Sequence, residues 1–160
     1  MLPVRIGADH MNPGDLIFVS GIDVISRIIR WVTESKYSHV AIYVGGGRVI
    51  EAQAFRKVGF QELAYYEGKY DVKPIRLREP QRIHGLVWIL NQRGRPYSYW
   101  SDFVILLRCL FNIHIPWHEG LAIICSRLGR DFLFHCGLPI PDENMSPEDL
   151  YEWVTSYTRE

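Results

Sequence analysis

A disulfide framework is excluded first: the chain has only three cysteines, an odd number at no repeating spacing, which fits a reducing compartment or a free reactive thiol. Charge of one sign is lacking too. Eighteen basic and eighteen acidic side chains give a formal net charge of zero and form no long blocks, so neither nucleic acid nor an anionic membrane is an expected partner. There is no long hydrophobic run. The most apolar stretch, FVILLRCLF at 103–111, is interrupted by Arg108 and falls far short of the roughly 20 residues a spanning helix needs. It reads as a buried helix, and no stable membrane insertion is expected. The opening MLPVRIGADHMNPGD has no apolar core behind a charged start, so no secretory signal is expected. A cytoplasmic location follows, with lysis or a non-classical route as the way out to any external substrate. Repeats, low-complexity segments and linkers are absent.

Motifs for bound groups are equally scarce. HExxH and CxxC do not occur. His114 and His118 stand four apart, but Pro116 between them argues against the helix that would align them, and His135 beside Cys136 is the other candidate pair. No metal and no cofactor are expected. Gly45, Gly46 and Gly47 lead into a strand and lack a Walker lysine, so they read as a turn and not as a phosphate cradle.

What the chain does have is 160 residues with 48% hydrophobic content, enough to bury a core as one domain spanning 1–160. The run SHVAIYVGGGRVIEAQ at 38–53 reads as two β-branched, alternating strands joined by the glycines, a hairpin. With a three-residue loop, Val44 faces Arg48, Ala41 faces Glu51 and His39 faces Gln53, which puts 39, 41, 49, 51 and 53 on one side of the sheet. Glu51 is then diagonal to His39. Diagonal neighbours lie roughly 7–8 Å apart, within reach of long side chains, so Glu51 or Gln53 can hold one ring nitrogen and aim the other. A two-residue loop would send Glu51 to the opposite face.

A second segment carries a thiol. In ICSRLGRDFLFHCGLP, Cys125, Leu128, Phe132, Leu133 and Cys136 recur at helical spacing, with Gly137 and Pro139 as a stop signal. Cys125 is thereby expected in the first turn of a helix over 125–136, where unpaired N–H groups and the helix dipole favour a thiolate. Packing that helix on the hairpin would bring thiol and imidazole together. Gly129 inside it weakens the helix by roughly 1 kcal/mol relative to alanine. Cys109 and Cys136 lie in apolar surroundings and read as core.

The remaining elements are a strand near 15–19, a helix over 23–34, a strand around 72–77, a helix from the apolar run 83–91, a turn over 91–101, a helix over 101–111, and a closing helix over 147–157 capped by Ser146. Strands followed by helices indicate an α+β architecture.

Five stretches, GDLIF at 14–18, SHVAIYVG with IEA behind it, GRPYS at 94–98, CSRL at 125–128 and SPEDLYEW at 146–153, occur in an order that resembles the permuted papain-like amidases of the YiiX and YaeF type, within the NlpC-like superfamily of cysteine hydrolases. The resemblance implies a circularly permuted papain-like (NlpC-like) fold, a small antiparallel sheet or barrel packed on helices with the histidine strands before the cysteine helix. It also implies a catalytic triad of Cys125 as nucleophile, His39 as base and Glu51 as third member. Ser38, Tyr37, Tyr43, Gln53 and Ser126 are the candidates for substrate contact, with Ser38 or a tyrosine as a second oxyanion donor beside the backbone N–H of Cys125. The expected substrate is a small amide or peptide, such as a cell-wall peptide or an aminoacyl linkage. The alternatives are an idle binding or accessory domain, and a thioester-linked acyltransferase sharing the same residues.

Overall fold

The computed structural model describes residues 11–21, 27, 30–31, 35–52, 57–95, 121–142 and 145–158, and of 121–125 the backbone alone. Five strands, β1 (Leu16–Val19), β2 (His39–Gly45), β3 (Arg48–Glu51), β4 (Gly59–Glu62) and β5 (Tyr70–Lys73), form an antiparallel open sheet in the order β4-β3-β2-β1-β5. A 3-10 turn, Leu63–Tyr66, joins β4 to β5. Helices α1 (Glu79–Asn91), α2 (Leu121–His135) and α3 (Pro147–Tyr157) follow, so the architecture is α+β as expected. The sheet is open and does not close into a barrel. The expected helices over 23–34 and 101–111 and the turn over 91–101 fall wholly or partly outside the described residues.

Alternation along each strand divides the sheet into two buried faces. Leu16, Phe18, Val40, Ile42 and Ile50 point to one side, where they pack with Leu128, Phe132 and Leu133 of α2 and Leu150 and Val154 of α3. Ile17, Val19, Ala41, Tyr43 and Val49 point to the other, where Leu63 and Tyr66 of the 3-10 turn cover them. An antiparallel sheet commonly leaves one face to water. Here both are covered, and that decides the environment of the site below.

The hairpin differs from expectation in its turn and agrees in its consequence. Gly46 and Gly47 form a two-residue turn, both at positive φ (61° and 71°), the backbone signature of hairpin turns that glycine adopts without strain. Gly45, not Val44, is opposite Arg48, and a bulge between Tyr43 and Gly45 then shifts the register by one, so that Tyr43 pairs Val49 and Ile42 pairs Ile50. A two-residue turn alone would have reversed the faces. The bulge restores them, and Glu51 stays on the side of His39.

Two glycines let α2 seat closely. Gly129 is buried, and a Cβ there would stand 3.1 Å from Leu150 Cδ2 and 3.2 Å from Val40 Cγ1, so its missing side chain is what allows α2 to approach β2. Gly85 of α1 meets α2 in the same way. The closing helix begins as expected. The Ser146 hydroxyl accepts the Asp149 N–H at 3.1 Å, while the Asp149 carboxylate accepts the Ser146 N–H at 2.9 Å. Ser146→Ala is expected to destabilise the protein by about 1 kcal/mol, read from a denaturant midpoint.

Candidate active site

His39 opens β2 opposite Val19 of β1, and its side chain projects to the face covered by the 3-10 turn. Its Nε2 lies 2.8 Å from Glu51 Oε2. Glu51 is only 2% exposed, and Tyr66 donates its hydroxyl to both carboxylate oxygens, at 2.9 Å from Oε1 and 2.8 Å from Oε2. A buried carboxylate is tolerated when such donors satisfy it. Between Glu51 and Gln53, the two partners open to His39, the structure shows the Glu51 contact; Gln53 lies outside the described residues. Because a carboxylate only accepts, Nε2 carries the proton in the neutral ring and the lone pair is on Nδ1. Nδ1 is therefore the nitrogen suited to take a proton from a nucleophile.

Cys125 belongs to α2, and its side chain lies outside the described residues. Its backbone position corrects one expectation. The chain is already helical at Leu121, so Cys125 sits in the second turn and not the first. Its N–H falls within the i→i−4 ladder, which removes it as an end-of-helix oxyanion donor, and the dipole's effect fades beyond the first turn. The direction of α2 places Cys125 nonetheless. Gly129 lies against Val40, whereas Phe132, one turn on, lies against Gly14, whose N–H donates to the Tyr43 carbonyl at 2.7 Å. The helix thus runs the same way as β2. One turn back from Gly129, about 6 Å of rise, the Cys125 backbone lies toward the end of β2 where His39 stands.

The remaining candidates are held in the framework. Tyr37 has no exposed surface; its ring packs between Phe18 and Tyr151, and its hydroxyl donates to Asp71 at 2.6 Å. Burial first, and then the Asp71 carboxylate, push its phenol far up from the ordinary tyrosine value. Ser38 is 3% exposed, with its hydroxyl accepting the Gly21 N–H and donating to the Val19 carbonyl. Tyr43 is buried and accepts the Gly47 N–H at 3.3 Å, bracing the turn. Ser126 is fully buried and donates to the Met145 carbonyl, tying α2 to the segment before α3. In Tyr37, Ser38, Tyr43 and Ser126, four of the candidates for substrate contact, each hydroxyl is used to join backbone segments or core groups. Sequence reading missed Tyr66. It lies in a four-residue turn with no periodic pattern, so nothing local pointed to it.

Among the described residues no group of three or more His, Cys, Asp or Glu side chains could hold a metal ion, and no helix is long and apolar enough to cross a membrane.

An antiparallel sheet whose second strand begins with a carboxylate-bound histidine, followed later in the chain by a cysteine-bearing helix packed on that strand, defines an NlpC-like protein. The NlpC/P60 family profile matches residues 3–75, a span that includes His39 and Glu51. The "Probable lipoprotein peptidase YaeF" of Escherichia coli strain K12 is 46% identical over 48 residues, a stretch covering 30% of this chain and 18% of that protein. The crystal structure of metalloprotein yiiX from Escherichia coli O157:H7 shares the fold at a TM-score of 0.57 and 18% identity, covering 88% of this chain and 92% of that one. The chain is thus similar to YiiX/YaeF-type proteins of the NlpC/P60 family, a family of cysteine peptidases and amidases, by sequence over part of its length and by fold over most of it.

Proposed function

We propose that the protein is a cysteine hydrolase cleaving a small amide or peptide, with Cys125 as nucleophile, His39 as base and Glu51 as the group that orients the ring. The observation that carries this reading is the 2.8 Å contact between His39 Nε2 and a buried Glu51. It supports Nδ1 as the proton acceptor, at the end of β2 near which the Cys125 backbone lies.

In the proposed reaction the Cys125 thiol gives its proton to His39 Nδ1, and the thiolate adds to the carbonyl carbon. The tetrahedral adduct collapses as His39 protonates the leaving amine, leaving a thioester. Water, deprotonated by His39, then releases the acid and the thiol. Glu51 keeps the Nε2 hydrogen bond throughout and stabilises the imidazolium. Transfer of the thioester's acyl group to an amine or alcohol instead of water would make the same site an acyltransferase, and product analysis separates the two.

The test is iodoacetamide labelling against pH, read cysteine by cysteine. Cys125 is expected to label with a midpoint below about pH 7, as paired thiolates do. Cys136 serves as internal control: burial, which outweighs the nearby Arg82 charge, pushes its thiol up to about 12, and it is expected to stay unlabelled in the folded protein. A Cys125 titrating near the free-thiol value of about 8.5 would turn the reading to a binding or accessory domain.

A further inference from the structure

We propose that Tyr66 is a positioning residue of this site: its phenol holds the Glu51 carboxylate ionised and oriented to receive the His39 Nε2 hydrogen bond. The proposal rests on the triad reading above for its catalytic consequence, though the contacts themselves do not.

The geometry has three parts. The Tyr66 oxygen is nearly equidistant from both oxygens of Glu51, at 2.9 and 2.8 Å, so its single proton lies across the carboxylate's fork. Oε2 is shared, since it also meets His39 Nε2 at 2.8 Å. The Tyr66 ring stands beside the imidazole, with centroids 6.1 Å apart. Glu51 is 2% exposed and Tyr66 8%, so water gives these bonds little competition. A hydrogen bond donated to the charged form of an acid favours that form. A neutral carboxyl would have to place its own proton on one of two oxygens that already face donors. The phenol therefore opposes the tendency of burial to neutralise Glu51, and an anionic Glu51 raises the proton affinity of His39.

The backbone holds Tyr66 in place independently of the site. The Leu63 N–H donates to the Gly47 carbonyl at 2.8 Å, fastening the 3-10 turn to the hairpin turn, and the Lys69 N–H donates to the Tyr66 carbonyl at 2.9 Å. Phenylalanine would fill nearly the same volume in the cluster with Leu63 and Val49. The hydroxyl is the part that core packing does not require. Tyr43 of β2 and Tyr70 of β5 belong to this cluster, Tyr65 packs edge-on against Tyr66, and Glu67 lies near Tyr70. Burial, then the nearby Glu67 charge, pushes the Tyr70 phenol up.

The experiment is an NMR titration of the His39 ring in the full chain, in the parent, Tyr66→Phe, Glu51→Gln and the double variant, with folding confirmed by a thermal melt. Tyr66→Phe is expected to lower the proton affinity of His39 about tenfold, the worth of one charge-assisted hydrogen bond. Glu51→Gln should lower it at least as far, and adding Tyr66→Phe to Glu51→Gln should change nothing further. An unmoved His39 titration in Tyr66→Phe overturns the proposal, and so does an equal shift with and without the Glu51 carboxylate. Cys125 labelling, run on the same variants and on His39→Ala, reports separately on the hydrolase reading. A tenfold His39 shift with labelling indifferent to His39 leaves the clamp standing and removes the catalysis.

Discussion

His39→Ala is expected to lower amide turnover by about two to four orders of magnitude, the usual worth of a positioned general base. It should also move the midpoint of Cys125 alkylation from below about pH 7 to about 8.5. The structure gives this substitution more weight than the sequence does. With Cys125 in the second turn of α2, the helix dipole is a weak source of thiolate activation, so in the proposed triad the imidazole is expected to supply most of it. The alkylation rate is expected to change less than the midpoint. At pH 6 the variant loses roughly a hundredfold in thiolate, but a thiolate of higher pKa is intrinsically the better nucleophile, which returns about tenfold. A net loss of about tenfold near pH 6, a crossing of the two profiles near about pH 7.5, and a variant faster by up to about tenfold above pH 9 are therefore the expected pattern. Parallel profiles in parent and variant would mean that the two side chains do not meet.

Gly85→Ala is expected to destabilise the fold by about 1–3 kcal/mol, the range for overpacking a filled core. At roughly 2–4 °C per kcal/mol for a chain of this size, a thermal melt should show a clear fall. In an exposed helix the same change would stabilise by up to about 1 kcal/mol. Here a Cβ at position 85 would stand 2.3 Å from Cys136 Sγ and 3.0 Å from Phe132 Cε2, both on or just beyond α2. The sulfur ends a short side chain in the core and cannot withdraw, so α1 must move away from α2. Because α2 carries Cys125, Cys125 labelling should fall along with stability. A midpoint equal to or above the parent's would show that the helix pair has slack there.

Much of the fold was legible because its signals are local. Alternation located β1, β2 and β3, and the recurrence of Leu128, Phe132 and Leu133 located the body of α2. Ser146 and Pro147 marked the start of α3. The helix from 83 was shorter than α1, which begins at Glu79, where the Gln81 side-chain oxygen accepts the Arg78 N–H at 3.0 Å. That start lacks the small polar cap by which helix entries are recognised. β4 escaped notice because its sequence, GFQE, is four residues long and only partly buried. Gly129 looked like a flaw in a helix. It is instead the place where α2 comes close to Val40 and Leu150, a contact that no periodicity in α2 alone records.

By itself the sequence determined that His39 and Glu51 stand on the two arms of one hairpin and that a cysteine rides on a later amphipathic helix. Both follow from backbone periods of two and about 3.6 residues, which a chain carries wherever it packs. Only the tertiary structure decided that the turn has two residues with a compensating bulge that keeps His39 and Glu51 on one side, that α2 runs parallel to β2 with its N-terminal end toward His39, and that both sheet faces are covered. That second cover is what buries Glu51 and brings in Tyr66, fifteen residues further along the chain. A pattern of apolar residues states that a face will be buried; what buries it, and which polar group arrives with the cover, depends on packing between distant segments.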